Sequence, residues 1–399
     1  METSTYPHTY PKTRRFLIME GGPFYRIERR VGLIRENPPR TIRSAVLAAC
    51  LTWLVLLILS ALNGAAAGEG VELPFLHDFS AYGRFLLAIP LLLMAERVLG
   101  PRIADTAERF LLANIVTQTD FNRFDAAIER GLLRRDSVVA ELIIALLAYA
   151  LSVVAFRSLT VPSTTWYAAP VDGGGITITW AGWWLILFCV PLLQFLILRW
   201  LWRMFLWFCL LSEVSKLDLQ LFPTHPDQAG GLGFVGGAQR CFGMLFFAYS
   251  CGITGIIADE IIYGRLPLKH FAPAIAAYAV LALLLTAAPL VVFAKRLLIT
   301  KREGLHRYGA LATAYTGRFQ HKWIEAGNAE HEELLGTGDI QSLADLGNSY
   351  EFIKRMKPIP VAPRALIHLV VLALLPMFSL LLTVMPVKEV VKLLLKVLV

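Results

Sequence analysis

The chain has 399 residues, of which 56% are hydrophobic and only 17% charged, and its mean hydropathy is +0.58. Soluble domains average about 25% charged residues, and uncharged apolar runs of about 18 residues or more, long enough to cross a ~30 Å hydrocarbon core, recur here. A soluble globular class is therefore excluded, as is a transmembrane barrel, whose ~10-residue alternating segments are absent. The net charge of +8 fits cationic loops on one face of a membrane better than a nucleic-acid partner.

In chain order, residues 1–43 are polar and basic, with nine Lys or Arg. After a polar tail (1–15), Phe24, Ile27, Val31 and Ile34 recur at helical spacing with Arg26, Arg29, Arg30 and Arg35 between them, predicting a basic amphipathic helix on the inner leaflet. The first apolar run begins after more than forty residues and lacks a small-residue cleavage pattern, so it reads as an uncleaved anchor. Spans are expected at 45–62 and 82–99, joined by a loop that carries Glu69, Glu72 and Asp78 but no Lys or Arg. Residues 100–137 return to basic character and predict two amphipathic helices, one presenting Ile103, Ala107, Phe110 and Asn114, the next Phe121, Phe124, Ile128 and Leu132, with Thr119 or Asp120 as its cap.

A third span (138–156) leads to a loop free of Lys and Arg, and Trp180, Trp183 and Trp184 then mark an interface. The apolar run 180–211 is too long for one crossing and reads as a helix that leaves the bilayer near Arg199 and Arg203. Further spans are expected at 241–262, 271–294 and 365–385, seven in all, with a terminal interfacial helix at 386–399 bearing Lys388, Lys392 and Lys396. Residues 295–364 predict a helical hairpin. Leu305, Tyr308, Ala312, Tyr315, Phe319 and Trp323 form one stripe, Ile340, Leu343, Leu346, Tyr350 and Ile353 another, with Asp339 as a cap and an acidic linker between. Nine basic residues lie in 1–43, seven in 97–137, four in 199–240 and eleven in 295–364, together 31 of the 38. The expectation is an all-α polytopic membrane protein with its N-terminus and these segments on the cytoplasmic side.

The five cysteines (Cys50, Cys189, Cys209, Cys241, Cys251) lie in or beside apolar runs, and no CxxC pair occurs, so neither a disulfide framework nor a zinc site is expected. Chemistry concentrates in Thr224–Gly237. His225 and Asp227 flank a proline there, and Gly230, Gly231, Gly233 and Gly236 give a backbone able to turn sharply and approach other surfaces closely. The pattern Gly231-x-Gly233-x-x-Gly236 matches a dinucleotide fingerprint literally, but no strand precedes it and no βαβ unit surrounds it, so no cofactor is expected. His-Pro-Asp also marks J-domain co-chaperones, where it joins two soluble helices; here it abuts a membrane span. One reading makes His225 and Asp227 a proton-responsive or metal-binding pair; the other makes Asp227 a loop cap and His225 a backbone partner. His306, His321, His331, Glu332 and Glu333 offer metal ligands without a metal-binding spacing. Gln194 is the one polar side chain deep in a span, and an amide there bonds a neighbouring helix or lines a path. Glu96, Glu141, Asp259 and Glu260 lie near span ends, and Pro90, Pro191, Pro289 and Pro376 fall within spans, where proline frees a carbonyl.

The stretches His225–Phe234, Tyr308–Leu311 with Lys322-Trp323, Gly338–Ser349 and Leu380–Pro386 make the C-terminal half resemble a family of uncharacterised bacterial inner-membrane proteins. The resemblance implies a bacterial inner membrane, carries no catalytic residues, and suggests that the glycine loop and Gly338–Ser349 touch on one cytoplasmic face. The expectation is a channel or transporter-like protein, oligomeric, gated by the His225–Gly237 loop. The alternative is a membrane-anchored sensor or scaffold whose cytoplasmic helices bind a partner protein; an enzyme using His225 and Asp227 is third.

Overall fold

The computed structural model describes residues 14–30, 40–68, 70–157, 164–171, 175–325 and 338–384. The tail before residue 14, the second half of the basic N-terminal helix (Val31, Ile34, Arg35), the acidic linker with His331, Glu332 and Glu333, and the terminal helix 386–399 lie outside them.

In chain order the elements are α1 (Pro23–Arg30), α2 (Ile42–Leu62), α3 (79–112), α4 (Phe121–Arg135), α5 (Val138–Arg157) and a hairpin of β1 (Ala168–Val171) and β2 (Gly175–Ile178). There follow α6 (Trp180–Val214), α7 (Gly233–Ile262), α8 (Leu268–Val291), α9 (Ala294–Gln320), α10 (Gly338–Lys354) and α11 (Pro363–Thr383). The protein is an all-α polytopic helical bundle, and the two short antiparallel strands form its one described sheet.

Six helices among the described residues, α2, α5, α6, α7, α8 and α11, are long and apolar enough to cross a membrane. The seven-span expectation differs at α3, which holds the predicted second span but carries Arg84, Glu96 and Arg97. It still runs from one end of the bundle to the other. At its start the Phe79 and Ser80 amides donate to Asp259, near the last turn of α7; at its finish the Phe110 ring packs edge-on against Phe234, in the first turn of α7, at 5.0 Å. Helix α3 is the centre of the bundle: Phe85, Ile89, Leu92, Ala95, Leu99 and Ile103 are all buried to within 1%. Helix α5, by contrast, exposes most of its apolar surface, as a lipid-facing helix must. Backbone proximity joins α3 to α7. A β-carbon at Gly83 would run into the Cys251 carbonyl, and one at Gly255 into that of Phe79. Small residues let helices approach this closely where water supplies no drive between them.

Each of the four prolines Pro90, Pro191, Pro289 and Pro376 coincides with a departure from α geometry, whereas Pro101 sits in regular helix within α3. Wide i→i+5 turns at Tyr82–Ala88 and Leu185–Cys189 directly precede Pro90 and Pro191. Pro289 lies just before the break at Val292–Phe293, and Pro376 lies in the tight i→i+3 turns of Leu375–Thr383. Proline cannot donate its amide, so the ladder around it rearranges.

The two ends differ in charge. One, here the basic end, gathers α1, α4, α9, α10 and the glycine loop; the far end carries the described loop residues 63–68, 70–78, 164–171, 175–179 and 263–267. The N-terminal segment is not a free polar tail from residue 14 onward. Phe16, Ile18 and Met19 are buried to within 3%, with Phe16 against Trp207. Arg14 pairs with Glu129, Arg15 with Asp105, and the Leu17 carbonyl accepts from Arg135. Beneath this plug lies a buried ion cluster. Glu96 of α3 meets Arg203 at 2.7 Å and Arg199 at 3.3 Å, both on α6, and the two guanidinium groups are only 3–4% exposed. Arg199 also lies over the Phe24 ring at 4.8 Å. These arginines, read from sequence as marking the exit from the bilayer, face inward.

Helices α9 and α10 form an antiparallel pair on stripes that are half-buried except at the exposed Ile340, closed at the base by Ile353 and Met356, which are buried to within 1%. Asp339 sits inside the first turn of α10. Its side chain accepts from Lys322 and Trp323 rather than capping its own helix, and Lys322 holds it below the ordinary carboxylate range.

Candidate functional sites at the two ends of the bundle

At the basic end the chain reverses between α6 and α7 through the His-Pro-Asp loop. Asp227 is its hub: Oδ1 accepts from the Ala229 amide at 2.8 Å and the Gly231 amide at 3.2 Å, and Oδ2 from the Gly233 amide at 2.8 Å. Gly233 is the first residue of α7, so the carboxylate also sits at the positive end of that helix. His225 Nδ1 lies 2.8 Å from Oδ1, with its ring 43% exposed. Burial raises the affinity of the Asp227 carboxyl for a proton, but the three amides and His225 outweigh it and hold the group below the ordinary carboxylate range.

Gly230 and Gly231 adopt φ of +66° and +97°, which side-chain-bearing residues rarely tolerate. Gly230 abuts Met356 and Leu297, and Gly236 stands against the Pro360 carbonyl, where no β-carbon fits. The Lys357 amide donates to the Gln228 carbonyl at 2.8 Å. The loop thus locks α7, α9 and the segment after α10 together. Its partner is residues 356–360; Gly338–Ser349, which the sequence suggested would touch it, begins at the outer tip of the hairpin.

Gln194 is not at this end. Its Oε1 accepts from Ser152 of α5 at 2.8 Å, and Ser152 lines a pocket that opens at the far end. That pocket has a volume of about 800 Å³, within the range of small-molecule sites. Its rim is Glu72, Phe156, Trp166, Tyr167, Tyr263 and Arg265; its polar belt is Asp78, Ser80, Arg84, Asp259 and Glu260; and its deeper wall is apolar, from Leu185, Ile186, Val190 and Ile256. Asp259 closes the first two amides of α3, while Asp78 accepts from the Ala81 amide and from Trp166 Nε1, both at 2.8 Å. Trp166 is 1% exposed with Phe75 edge-on to it at 4.9 Å, so a packed aromatic pair holds the outer loops in place. Both wide turns that precede prolines, at Tyr82–Ala88 and Leu185–Cys189, supply pocket residues.

Sequence reasoning named His225, Asp227, Gly230, Gly231, Gly233, Gly236 and Gln194. The structure brings the first six together at the basic end and places Gln194 beneath the opposite pocket. The pocket residues themselves went unremarked as a group, because Glu72, Asp78, Arg84, Trp166 and Asp259 lie on separate segments. The one local signal was the acidic, lysine-free character of loop 64–81. Among the described residues, no group of three His, Cys, Asp or Glu side chains is placed to hold a metal ion. No protein-family model matches the chain, and no curated protein or solved structure is significantly similar to it.

Proposed function

We propose that this is a multi-pass protein of the bacterial cytoplasmic membrane, with its N-terminus and basic end in the cytoplasm, that loads a small ligand from the opposite side as a transporter-like carrier. The concentration of 31 of 38 basic residues in the segments of one end supports the orientation. The pocket carries the functional reading: a ligand-sized, half-polar cavity reaches from the far-end loops down to Ser152 and Val190. Below it Phe85, Ile89, Leu92 and Trp200 are fully buried, so the centre is shut rather than porous. This favours a carrier over a standing channel, with the wide turns beside the pocket as points of give. The His225–Gly237 loop, which ties α7 to the cytoplasmic helices, is the gating element in this reading.

Proteoliposomes preloaded with candidate solutes are the test. Saturable flux is expected, and Gln194→Leu, which removes the polar group under the pocket, should lower it several-fold with unchanged thermal stability. Absence of saturable flux across amino acids, sugars, organic acids and inorganic ions removes the carrier reading.

One observation favours a sensor or scaffold as the second reading. The α9–α10 pair, with the turn 321–325 that continues α9, exposes Leu311 (53%), Ile324 (69%), Ile340 (44%) and Phe352 (39%), more apolar surface than a solvated helix pair needs. Replacing these four by Ser should then abolish co-purification of a cytoplasmic partner and leave membrane insertion intact; unchanged co-purification ends that reading.

A further inference from the structure

The chemistry of the far-end pocket changes in order with depth. Arg84 lies five residues inside α3, about 7–8 Å along the axis from Phe79. It donates through Nε to the Ser80 carbonyl and lies over the Phe85 ring, and among the described residues it has no carboxylate partner. Among the described residues the Ser80 hydroxyl beside it has no hydrogen-bond partner, on a residue 5% exposed. Carboxylates predominate nearer the rim: Glu72 in the outer loop, Asp259 and Glu260 in the last turn of α7, against the single cation Arg265. Below Arg84 the wall is apolar except for Ser152, whose hydroxyl is taken up by Gln194, and it reaches Val190, ten residues or about 15 Å along α6 from the exposed interfacial Trp180, half the thickness of a ~30 Å hydrocarbon core.

Part of the pocket wall faces outward from the bundle. Ala155 of α5 and Ile256 of α7 line it and are both exposed on apolar helices, Ile256 by 45%. A water-soluble solute needs neither a wall that faces outward nor an apolar wall this deep.

We propose that the pocket holds a zwitterionic phospholipid drawn laterally from the far leaflet, its phosphate on Arg84 and Ser80, its ammonium between Glu260 and Glu72, and an acyl chain along Ile186, Val190 and Ile256. A guanidinium recognises phosphate with several donors at once, and the carboxylates above it attract a cation and repel an anionic headgroup. Depth order supplies the selectivity: in a phosphoethanolamine lipid the phosphate lies between the acyl chains and the amine, as the cation here lies between the apolar wall and the carboxylates.

This inference rests on the reading of the pocket as the ligand site, and the experiment separates the two. The full chain is purified in detergent, and retained lipid is counted by native mass spectrometry after addition of equal phosphatidylethanolamine and phosphatidylglycerol. Wild type is expected to retain phosphatidylethanolamine preferentially. Arg84→Gln should weaken that retention about tenfold, a difference of about 1.4 kcal/mol, and Glu260→Gln should shift the preference toward phosphatidylglycerol. Because Arg84 also bonds the Ser80 carbonyl, Ile256→Trp serves as a second variant. It fills the outward-facing wall from an exposed position and should lose the lipid without a change in melting. Equal retention of the two lipids by wild type, unchanged retention in both Arg84→Gln and Ile256→Trp, or soluble phosphoethanolamine competing as well as the lipid would each overturn the proposal. Lipid retention without solute flux leaves it standing and removes the solute-carrier reading; flux without lipid retention does the reverse.

Discussion

Glu96→Ala is expected to destabilise the purified protein by about 3–5 kcal/mol, because it leaves the guanidinium groups of Arg199 and Arg203 buried without their shared counter-charge. The groups have no easy escape. Both arginines are almost fully buried, between α3 and the N-terminal segment that carries Met19 and Phe24. The measurement is thermal unfolding in detergent, read by tryptophan fluorescence. Glu96→Gln, which keeps an acceptor oxygen but no charge, should fall between wild type and Glu96→Ala. The triple variant Glu96→Leu, Arg199→Met, Arg203→Met should recover most of the loss, since replacing a whole buried ion cluster by apolar side chains of similar volume is often neutral or stabilising. A Glu96→Ala protein that melts with wild type would show that the cluster is hydrated and carries no such load.

Asp227→Ala should cost about 2–3 kcal/mol, the scale of losing one charged acceptor and a helix cap at once. Three amides lose their acceptor and α7 loses the anion at its first turn. The effect has a pH signature. The carboxyl is held below its ordinary range in the folded protein, so the unfolded chain takes up its proton first as pH falls. The contribution of Asp227 is complete above the unfolded value near pH 4 and is lost as pH drops through the lower folded value. Melting curves of wild type and Asp227→Ala should therefore stay separated by a constant interval from about pH 5 upward and converge in stronger acid. A gap that instead grows below pH 5 would mean that the carboxylate is not held by these amides. Asp227→Asn should keep part of the interval, through its one remaining acceptor oxygen. If the loop is also a gate, the same variants lower flux at neutral pH by more than their stability loss accounts for.

Much of this architecture is legible in the chain because its determinants are local. Hydropathy over about 18–20 residues marks the apolar crossing helices. Three-four spacing of Leu305, Tyr308, Ala312, Tyr315, Phe319 and Trp323 marks the face on which α9 meets α10. Even α3 is visible as a hydrophobic stretch. That it is the central helix is not visible, because an apolar run reads the same whether its neighbours are lipid tails or other helices. Arg84 and Glu96 were the hint, since charges within an apolar stretch are tolerated where protein surrounds them. The prolines were read as kinks, and each does coincide with a disturbed turn, because a missing amide is a property of the residue itself.

The amino-acid sequence by itself determined the class of the protein, the helices that meet lipid, the segregation of positive charge to one end and the presence of a glycine-hinged turn around Asp227. All of these depend on groups within a few turns of one another. Only the tertiary structure decided which polar groups share a site: Glu96 with Arg203, Asp78 with Trp166, Asp259 with the start of α3, and Ser152 with Gln194 lie 42 to 180 residues apart. A side chain's partner across such a gap is set by how whole helices pack, and helix packing follows from every buried contact together, which no local pattern encodes.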